Sequence, residues 1–563
     1  MLSDLTISQS AKLLPLTDIA GKMGIAPAFL EPYGDSVAKI KLSVIDALKD
    51  RPRAKYVVVS AITPTPLGEG KTTTTVGLGQ AMQHVGKSAT IAIRQPSLGP
   101  TFGIKGGAAG GGYSQVVPME LLNLHLTGDF HAVTSAHNML SALVDNHLNQ
   151  GNARGLDLKN ITWRRVLDVN DRSLRNVIVG LGGALDGVVR QTGFDITAAS
   201  EVMAILALST SYPDLRARLQ RIVVGYTPDR APVTAGDLEA AGAMAAILRD
   251  ALKPNLMQTL EHTPVLVHAG PFGNIAHGNS SVMADLIGIH TADYLITEAG
   301  FGADMGAERF FNIKCRASGL VPDACVIVAT VRALKLHSGK FRVIAGKPLP
   351  EAMLLESPDD VRAGAANLRK QIENIRVHGV SPVVAINAFP GDHASEHAAI
   401  AEIAREMGVR VAVSTHFVDG GKGATDLARV VIDACEEPSN FHFLYPDSAT
   451  LKEKIEAVAT KIYGASGVSY TPTAARQCET FERNGFGKLA VCIAKTHLSI
   501  SSDPTLQGAP TGWTLPVREM RASVGAGFVY PICGDMQTMP GLGATPAAMK
   551  IDIDDEGRIL GLS

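Results

Sequence analysis

The chain has 563 residues, enough for three or four domains at roughly 150 residues each. Its 52 Lys and Arg against 54 Asp and Glu leave a net charge of −2, which argues against a nucleic-acid partner held by a broad basic surface. Hydrophobic residues at 46% and charged residues at 19% allow a large core and exclude a disordered chain. In chain order, Tyr56-Val-Val-Val-Ser-Ala-Ile predicts a buried strand, Thr72 to His84 a helix ending before Gly86, and Ser88-Ala-Thr-Ile-Ala-Ile a second strand. The alternation returns at Pro264 to His268, Asp293 to Thr297, Ala324 to Thr330, Pro382 to Ile386 and Val409 to Ser414. Continuous apolar strands between helices predict a parallel sheet covered on both faces.

The expected fold class is therefore α/β. It is a multi-domain chain on a P-loop-type, mostly parallel sheet flanked by helices, with a helical insertion and further α/β units. The boundaries expected are a discontinuous nucleotide-binding core over roughly 1–150 plus 260–345 and a mostly helical insertion over roughly 151–259. A second α/β domain over roughly 346–448 and a C-terminal α+β domain over roughly 449–563 follow. Val202 to Leu208 reads as a buried helix, and no window approaches the roughly 18 apolar residues of a membrane span. The start, Met1-Leu-Ser-Asp-Leu-Thr, lacks the pattern of a leader, and six scattered cysteines without C-x-x-C fit reduced thiols. The expected location is cytoplasmic, with no membrane partner.

The 56 glycines are about a tenth of the chain, against a usual share of roughly 7%. Such a main chain approaches small anions closely. One cluster, Thr65-Pro-Leu-Gly-Glu-Gly-Lys-Thr72, sits between the first strand and its helix, the context a phosphate loop needs. Thr65, Pro66, Leu67, Gly68, Glu69 and Gly70 would wrap phosphate oxygens, Lys71 would reach the terminal phosphates, and the Thr72 hydroxyl would ligate Mg²⁺. The match to G-x-x-x-x-G-K-[ST] is incomplete, because Thr65 stands at the first glycine. An ordinary glycine-rich turn is the plainer alternative.

A second anion cradle follows the next strand. Arg94-Gln-Pro-Ser-Leu-Gly-Pro leads to Lys105, and five glycines lie between Gly106 and Gly112. A guanidinium forks onto phosphoryl oxygens, and a flexible linker would seldom carry Arg, Lys and Tyr at its edges.

These stretches, with Asn123-Leu-His-Leu-Thr-Gly-Asp129, Phe194 to Ile205, Gly270-Pro-Phe-Gly-Asn-Ile-Ala-His-Gly278 and Thr297-Glu-Ala-Gly-Phe-Gly-Ala-Asp-Met-Gly306, resemble the formate–tetrahydrofolate ligase family. Val331-Arg-Ala-Leu-Lys335, Tyr470-Thr-Pro, Ala494-Lys-Thr496 and Met539-Pro-Gly-Leu542 extend the resemblance nearly end to end. It resembles the monofunctional form, since no G-x-G-x-x-G dinucleotide motif replaces the phosphate loop.

The resemblance implies an ATP-dependent ligase that joins formate to tetrahydrofolate through formyl phosphate, giving 10-formyltetrahydrofolate, ADP and phosphate. It implies Lys71 and Arg94 as catalytic residues and Arg94, Lys105, Gly106 and Gly107 around the formyl phosphate. Phe301 would stack on adenine, and Phe389 and Phe417, in the 346–448 segment, would take the flat pterin ring. Also implied are MgATP, K⁺ or NH₄⁺ as an activator near Asp129, a polyglutamylated folate, and a homotetramer.

Three positions depart from the family pattern. Gln95 stands where an acid follows the arginine, Leu121-Leu122 where an acid is expected, and Phe417 where the family can carry Trp. The spacings of His125, His131 and His137, and of His268 and His277, match no zinc motif. Arg332, Lys335 and Lys340 read as a solvated charged face, the alternative being a seat for the folate tail. Competing readings are a nucleotide-dependent switch, which has no need of the Arg94 cradle, and a kinase or ligase for another small carboxylate.

Overall fold

Val- and Ile-rich runs with no polar alternation are what strands buried on both faces require, and they build the centre of the molecule. The computed structural model describes residues 2–66, 68–103, 109–183, 185–344 and 348–562. A 12-stranded sheet dominates it. In chain order its strands are β1 (Leu30–Tyr33), β2 (Val37–Ile40), β3 (Lys55–Ala61), β4 (Ala89–Ile93), β5 (Gly110–Gly111) and β6 (Ser114–Val117). They continue with β7 (Asn255–Thr259), β8 (Pro264–Val267), β9 (Tyr294–Glu298), β10 (Ala324–Ala329), β11 (Ser381–Asn387) and β12 (Arg410–Ser414). The spatial order is β1-β2-β7-β8-β4-β9-β3-β10-β11-β12, with β6 beside β7 and β5 beside β6.

From β8 to β12 every pairing is parallel. The β1, β2, β5, β6 and β7 side is antiparallel. Helix α1 (Lys71–His84) runs from β3 back to β4, with Thr74 to Met82 buried. It packs too closely for side chains at two points. A Cβ on Gly77 would lie 2.6 Å from the Cβ of His416, and one on Gly79 2.4 Å from Cδ1 of Ile91. Helix α2 (Asp129–Asn149) and α3 (Glu201–Leu208) build a second core with Trp163 and Phe528. Val202 to Leu208 are all buried, as their uniform apolarity requires.

Two expectations need correction. The segment over 151–259 is not mostly helical, since its helices cover only Glu201–Leu208, Tyr212–Gln220 and Ala241–Ile247. Short pairs fill much of the rest: Val177–Val179 with Arg190–Thr192, Val223–Tyr226 with Pro232–Thr234, and Arg165–Leu167 with Phe194–Ile196. Runs of three or four residues are too short to display a period of two. The segment's last strand, β7, belongs to the central sheet, as do β11 and β12, expected in a second α/β domain. Beyond residue 449, helices Leu451–Ala457 and Pro472–Arg483 pack with Gly467–Tyr470, Thr514–Val517 and a three-stranded sheet around Phe528–Ile532. Among the described residues no helix is long and apolar enough to cross a membrane, and all six cysteines are buried and free.

Glu201 opens α3, and its Oε1 accepts the Gly525 N–H at 2.7 Å. Desolvation pushes its carboxyl up to about 8 from an ordinary 4.5. A raised carboxyl stabilises the fold fully below 4.5 and loses that contribution as pH climbs to about 8. Glu201→Gln keeps the carbonyl acceptor without the titration. The variant is expected to gain stability relative to the parent between pH 5 and 8, measured by urea midpoints; a pH-independent difference would refute the assignment.

Candidate active site

Ligands of parallel sheets bind beyond the carboxyl ends of the strands, and here loops after seven neighbouring strands meet. The loop after β3 is shaped by two left-handed glycines, Gly68 (φ 76) and Gly70 (φ 74). Glu69 braces it from within. Its Oε1 accepts the Thr65 N–H at 2.7 Å, and its carbonyl accepts Nδ2 of Asn387 at 3.0 Å. A Cβ on Gly70 would sit 2.4 Å from that amide, so only glycine lets β11 support the turn. Pro66 is exposed between them, and Leu67 lies outside the described residues. Lys71 and Thr72 then open α1, whose first N–H groups and dipole favour an anion.

Glu298 ends β9, the strand between β3 and β4. Its Oε2 accepts the Thr72 hydroxyl at 2.7 Å. On its other side lies Arg94, the residue after β4, whose charge Glu298 favours against desolvation. Nη1 of Arg94 donates to the Pro271 carbonyl at 3.2 Å, and Nε is buried with no partner. A Cβ on Gly300 would lie 3.2 Å from Nη2, so the guanidinium rests on bare main chain. A guanidinium keeps its charge even when partly desolvated.

Lys105, Gly106 and Gly107 lie outside the described residues. The end of their loop is tied down: the Gly112 N–H donates to Asp4 Oδ1 at 2.9 Å and the Tyr113 N–H to the Phe417 carbonyl at 2.9 Å. Gly112 has φ 56, and a Cβ there would lie 2.0 Å from the Phe417 oxygen.

Phe301 follows β9 with φ 62, an uncommon conformation for a residue with a side chain. Its ring stacks on His497 at 4.6 Å and 20°. Gly273 makes room, since a Cβ there would lie 2.8 Å from the ring. His497 lines a cleft of about 660 Å³ together with Phe272, Asn274, Thr496, Asp535 and Met536. The neighbouring His277 is buried beside Lys314, Arg94 and Arg309, which with desolvation hold its ring neutral.

The two aromatic candidates for a flat ring stand on adjacent strand ends, because the Ala388 N–H after β11 donates to Ser414 of β12 at 3.0 Å. Arg332 lies 4.9 Å above the half-buried ring of Phe389. Phe417 packs on Gly111, where a Cβ would stand 3.0 Å from its Cε2. Beneath it, His416 bonds Ser414 Oγ at 2.7 Å and Thr74 Oγ1 at 3.3 Å. Burial pushes His416 down to about 4, so the ring is neutral at pH 7.

Other candidates fall outside this cluster. The expected basic face is broken up: Lys335 is buried against Glu396 at 2.5 Å, and Lys340 pairs with Asp360. Leu121 is exposed and Leu122 buried. His125 pairs with His131 at 2.7 Å, and His137 stacks on Trp163 at 4.1 Å. No group of three or more His, Cys, Asp or Glu among the described residues could hold a metal. Asp129 is paired with Lys39 at 2.8 Å.

Sequence reasoning passed over Glu298, Asn387 and His497. The first two had a usable signal, a polar residue at the carboxyl end of an apolar strand. His497 had none, because its partner ring is nearly 200 residues away.

The family model described as formate–tetrahydrofolate ligase matches residues 2–563. A formate–tetrahydrofolate ligase of Saccharopolyspora erythraea is 72% identical, covering 100% of this chain and 99% of its own. Formate–tetrahydrofolate ligase 3 of Rubrobacter xylanophilus is 67% identical and the Cutibacterium acnes ligase 63%, each with 100% of both chains covered. With the Thr65–Thr72 loop, Arg94, Phe389 and Phe417 gathered at one sheet end, the chain belongs to the formate–tetrahydrofolate ligase family.

Proposed function

We infer that this chain catalyses the ATP-dependent joining of formate to tetrahydrofolate, giving 10-formyltetrahydrofolate, ADP and phosphate. The observation that carries the site assignment is Glu298, bonded to Thr72 on one side and set beside Arg94 on the other. It puts the phosphate loop and the guanidinium on the two flanks of one strand.

Formate is a poor acyl donor, because an oxide would have to leave. In the first step a formate oxygen attacks the γ-phosphorus of ATP and the bond to ADP breaks, giving formyl phosphate. The N10 amine then attacks the formyl carbon, phosphate leaves with the electron pair of the C–O bond, and the amine gives up its proton. Positioning and charge neutralisation dominate phosphoryl transfer. Lys71 and the α1 N-terminus hold the transferring phosphoryl group from one side, and Arg94 forks onto it from the other. The metal carried by ATP is Mg²⁺ in this reading, and the Thr72 hydroxyl and Glu298 carboxylate supply the hard oxygens it prefers. Lys105, Gly106 and Gly107 complete the formyl phosphate cradle, although they lie outside the described residues.

Adenine takes the Phe301 side, where a ring already stacks on His497. The pterin takes the Phe389 and Phe417 edge, two strand ends from the phosphate loop. A polyglutamylated folate, a homotetrameric assembly and a cytoplasmic location complete the reading and rest on the family resemblance.

ADP release is the direct test: it should require both formate and tetrahydrofolate, and turnover indifferent to either would refute the reading. Arg94→Ser is expected to lower formyl transfer by at least about 100-fold while ADP affinity stays close to the parent. A substantially active Arg94→Ser enzyme would remove the arginine from the chemistry. Phe417→Ala forfeits a ring contact of about 0.5–1.5 kcal/mol, so the folate KM should rise about 2- to 10-fold with the formate KM unchanged.

A further inference from the structure

Kinship with the family implies an activating monovalent cation near Asp129, and the residues present do not fit one. The Asp129 carboxylate is engaged on both oxygens from within the chain. Nζ of Lys39 donates to Oδ1 at 2.8 Å and to Oδ2 at 3.0 Å, and Nδ2 of Asn255 donates to Oδ2 at 2.8 Å. The third proton of the ammonium goes to the Lys253 carbonyl at 3.0 Å. The two charged side chains are 1% and 3% exposed, so neither exchanges its partner for water.

The next position that could offer an anionic oxygen is the residue after Arg94, and here it is Gln95. Its main chain is fixed one strand away from this pair. The Gln95 N–H donates to the Ala269 carbonyl at 2.8 Å, and Asn255 Nδ2 reaches from Asp129 to the Val267 carbonyl at 3.1 Å. A Cβ on Gly270 would touch both the Gln95 carbonyl at 2.4 Å and the ring of Phe130, the neighbour of Asp129, at 2.6 Å. Both amide atoms of Gln95 are buried and unpartnered.

The charges therefore close without an ion. One ammonium meets one carboxylate, and Gln95 adds no charge. A free cation placed here would be a second positive charge in a buried site, opposed by the desolvation cost that any buried ion meets. An acid at position 95 would add a buried negative charge one strand away from this pair, and that charge would favour a cation.

We propose that the Lys39 ammonium is the resident monovalent cation of this chain, and that Gln95 makes the site independent of K⁺ and NH₄⁺. Lys39 is a positioning residue in this scheme. It fixes Asp129 at the start of α2 and, through Asn255 and the end of β8, the strand end beside Arg94.

The test compares KCl, NH₄Cl, NaCl and tetramethylammonium chloride at one ionic strength. It reads the thermal midpoint of the unliganded protein and the kcat of formate-dependent ADP release. The parent should give the same midpoint and kcat in all four salts. A saturable rise of either in K⁺ or NH₄⁺ over tetramethylammonium would overturn the proposal. Gln95→Glu should lower the midpoint in tetramethylammonium and recover it saturably with K⁺ or NH₄⁺; a variant blind to the ion would show that charge balance does not govern the site. Lys39→Met leaves Asp129 unpaired and should recover its midpoint with the same ions, the absence of recovery counting against the ammonium's role. Should Lys39→Met not fold, Gln95→Glu decides, because it leaves the ion pair intact. The midpoints need no substrate, so they stand even where the ligase reading fails on its own assay.

Discussion

One carboxylate fixes the geometry of this site. Glu298 ends the strand that separates β3 from β4, so the phosphate loop and Arg94 approach it from opposite sides. Burying an unpaired carboxylate is costly, and it persists where hydrogen bonds and an opposite charge offset that cost. Here the Thr72 hydroxyl and the Arg94 charge do so. The relation is mutual, since a guanidinium with a buried, unpartnered Nε needs a nearby anion to stay in place. The separation of Thr72 and Arg94 is thus set by strand order, which packing of the whole sheet enforces.

Around that centre the loops hold one another more than they are held by their own elements. Asn387 of β11 supports the turn at Glu69, Asp4 near the N-terminus caps Gly112, and His416 wedges between Ser414 and Thr74. Apart from the Ser414–His416 bond, these contacts join residues more than 100 positions apart. They tie the loop after β3 and the start of α1 to the ends of β11 and β12, with the buried, neutral His416 at one joint. The neutral His416 ring adds hydrogen bonds to Ser414 and Thr74 without adding charge.

The parallel half of the fold was legible because both-face burial leaves an unmistakable mark. Tyr56 to Ile62 and Ala324 to Thr330 were each read within one residue of the strands Lys55–Ala61 and Ala324–Ala329. The helix read from Thr72 to His84 begins one residue earlier, at Lys71. The antiparallel edge was not legible. Val37-Ala-Lys-Ile is four residues long, and a lysine within it reads as solvated, although Lys39 is among the most deeply buried side chains. Its partner Asp129 lies 90 residues away, and no local pattern joins them. The short strands between 165 and 234 were missed for the same reason of length. The strand-turn-helix setting of Thr65 to Thr72, by contrast, was legible because it is local.

The tie between the glycine-rich loop and the Phe417 loop has a consequence for how this protein can vary. Its main-chain part is the bond from the Tyr113 N–H to the Phe417 carbonyl, with Gly112 pressed against that carbonyl, and the Ser114 hydroxyl adds a bond to the His416 carbonyl. The main-chain bond itself does not depend on the side chain at Tyr113 or Phe417, whereas Gly112 has no room for a Cβ. Substitutions at either position can therefore change the surface these loops present while that main-chain bond stays the same.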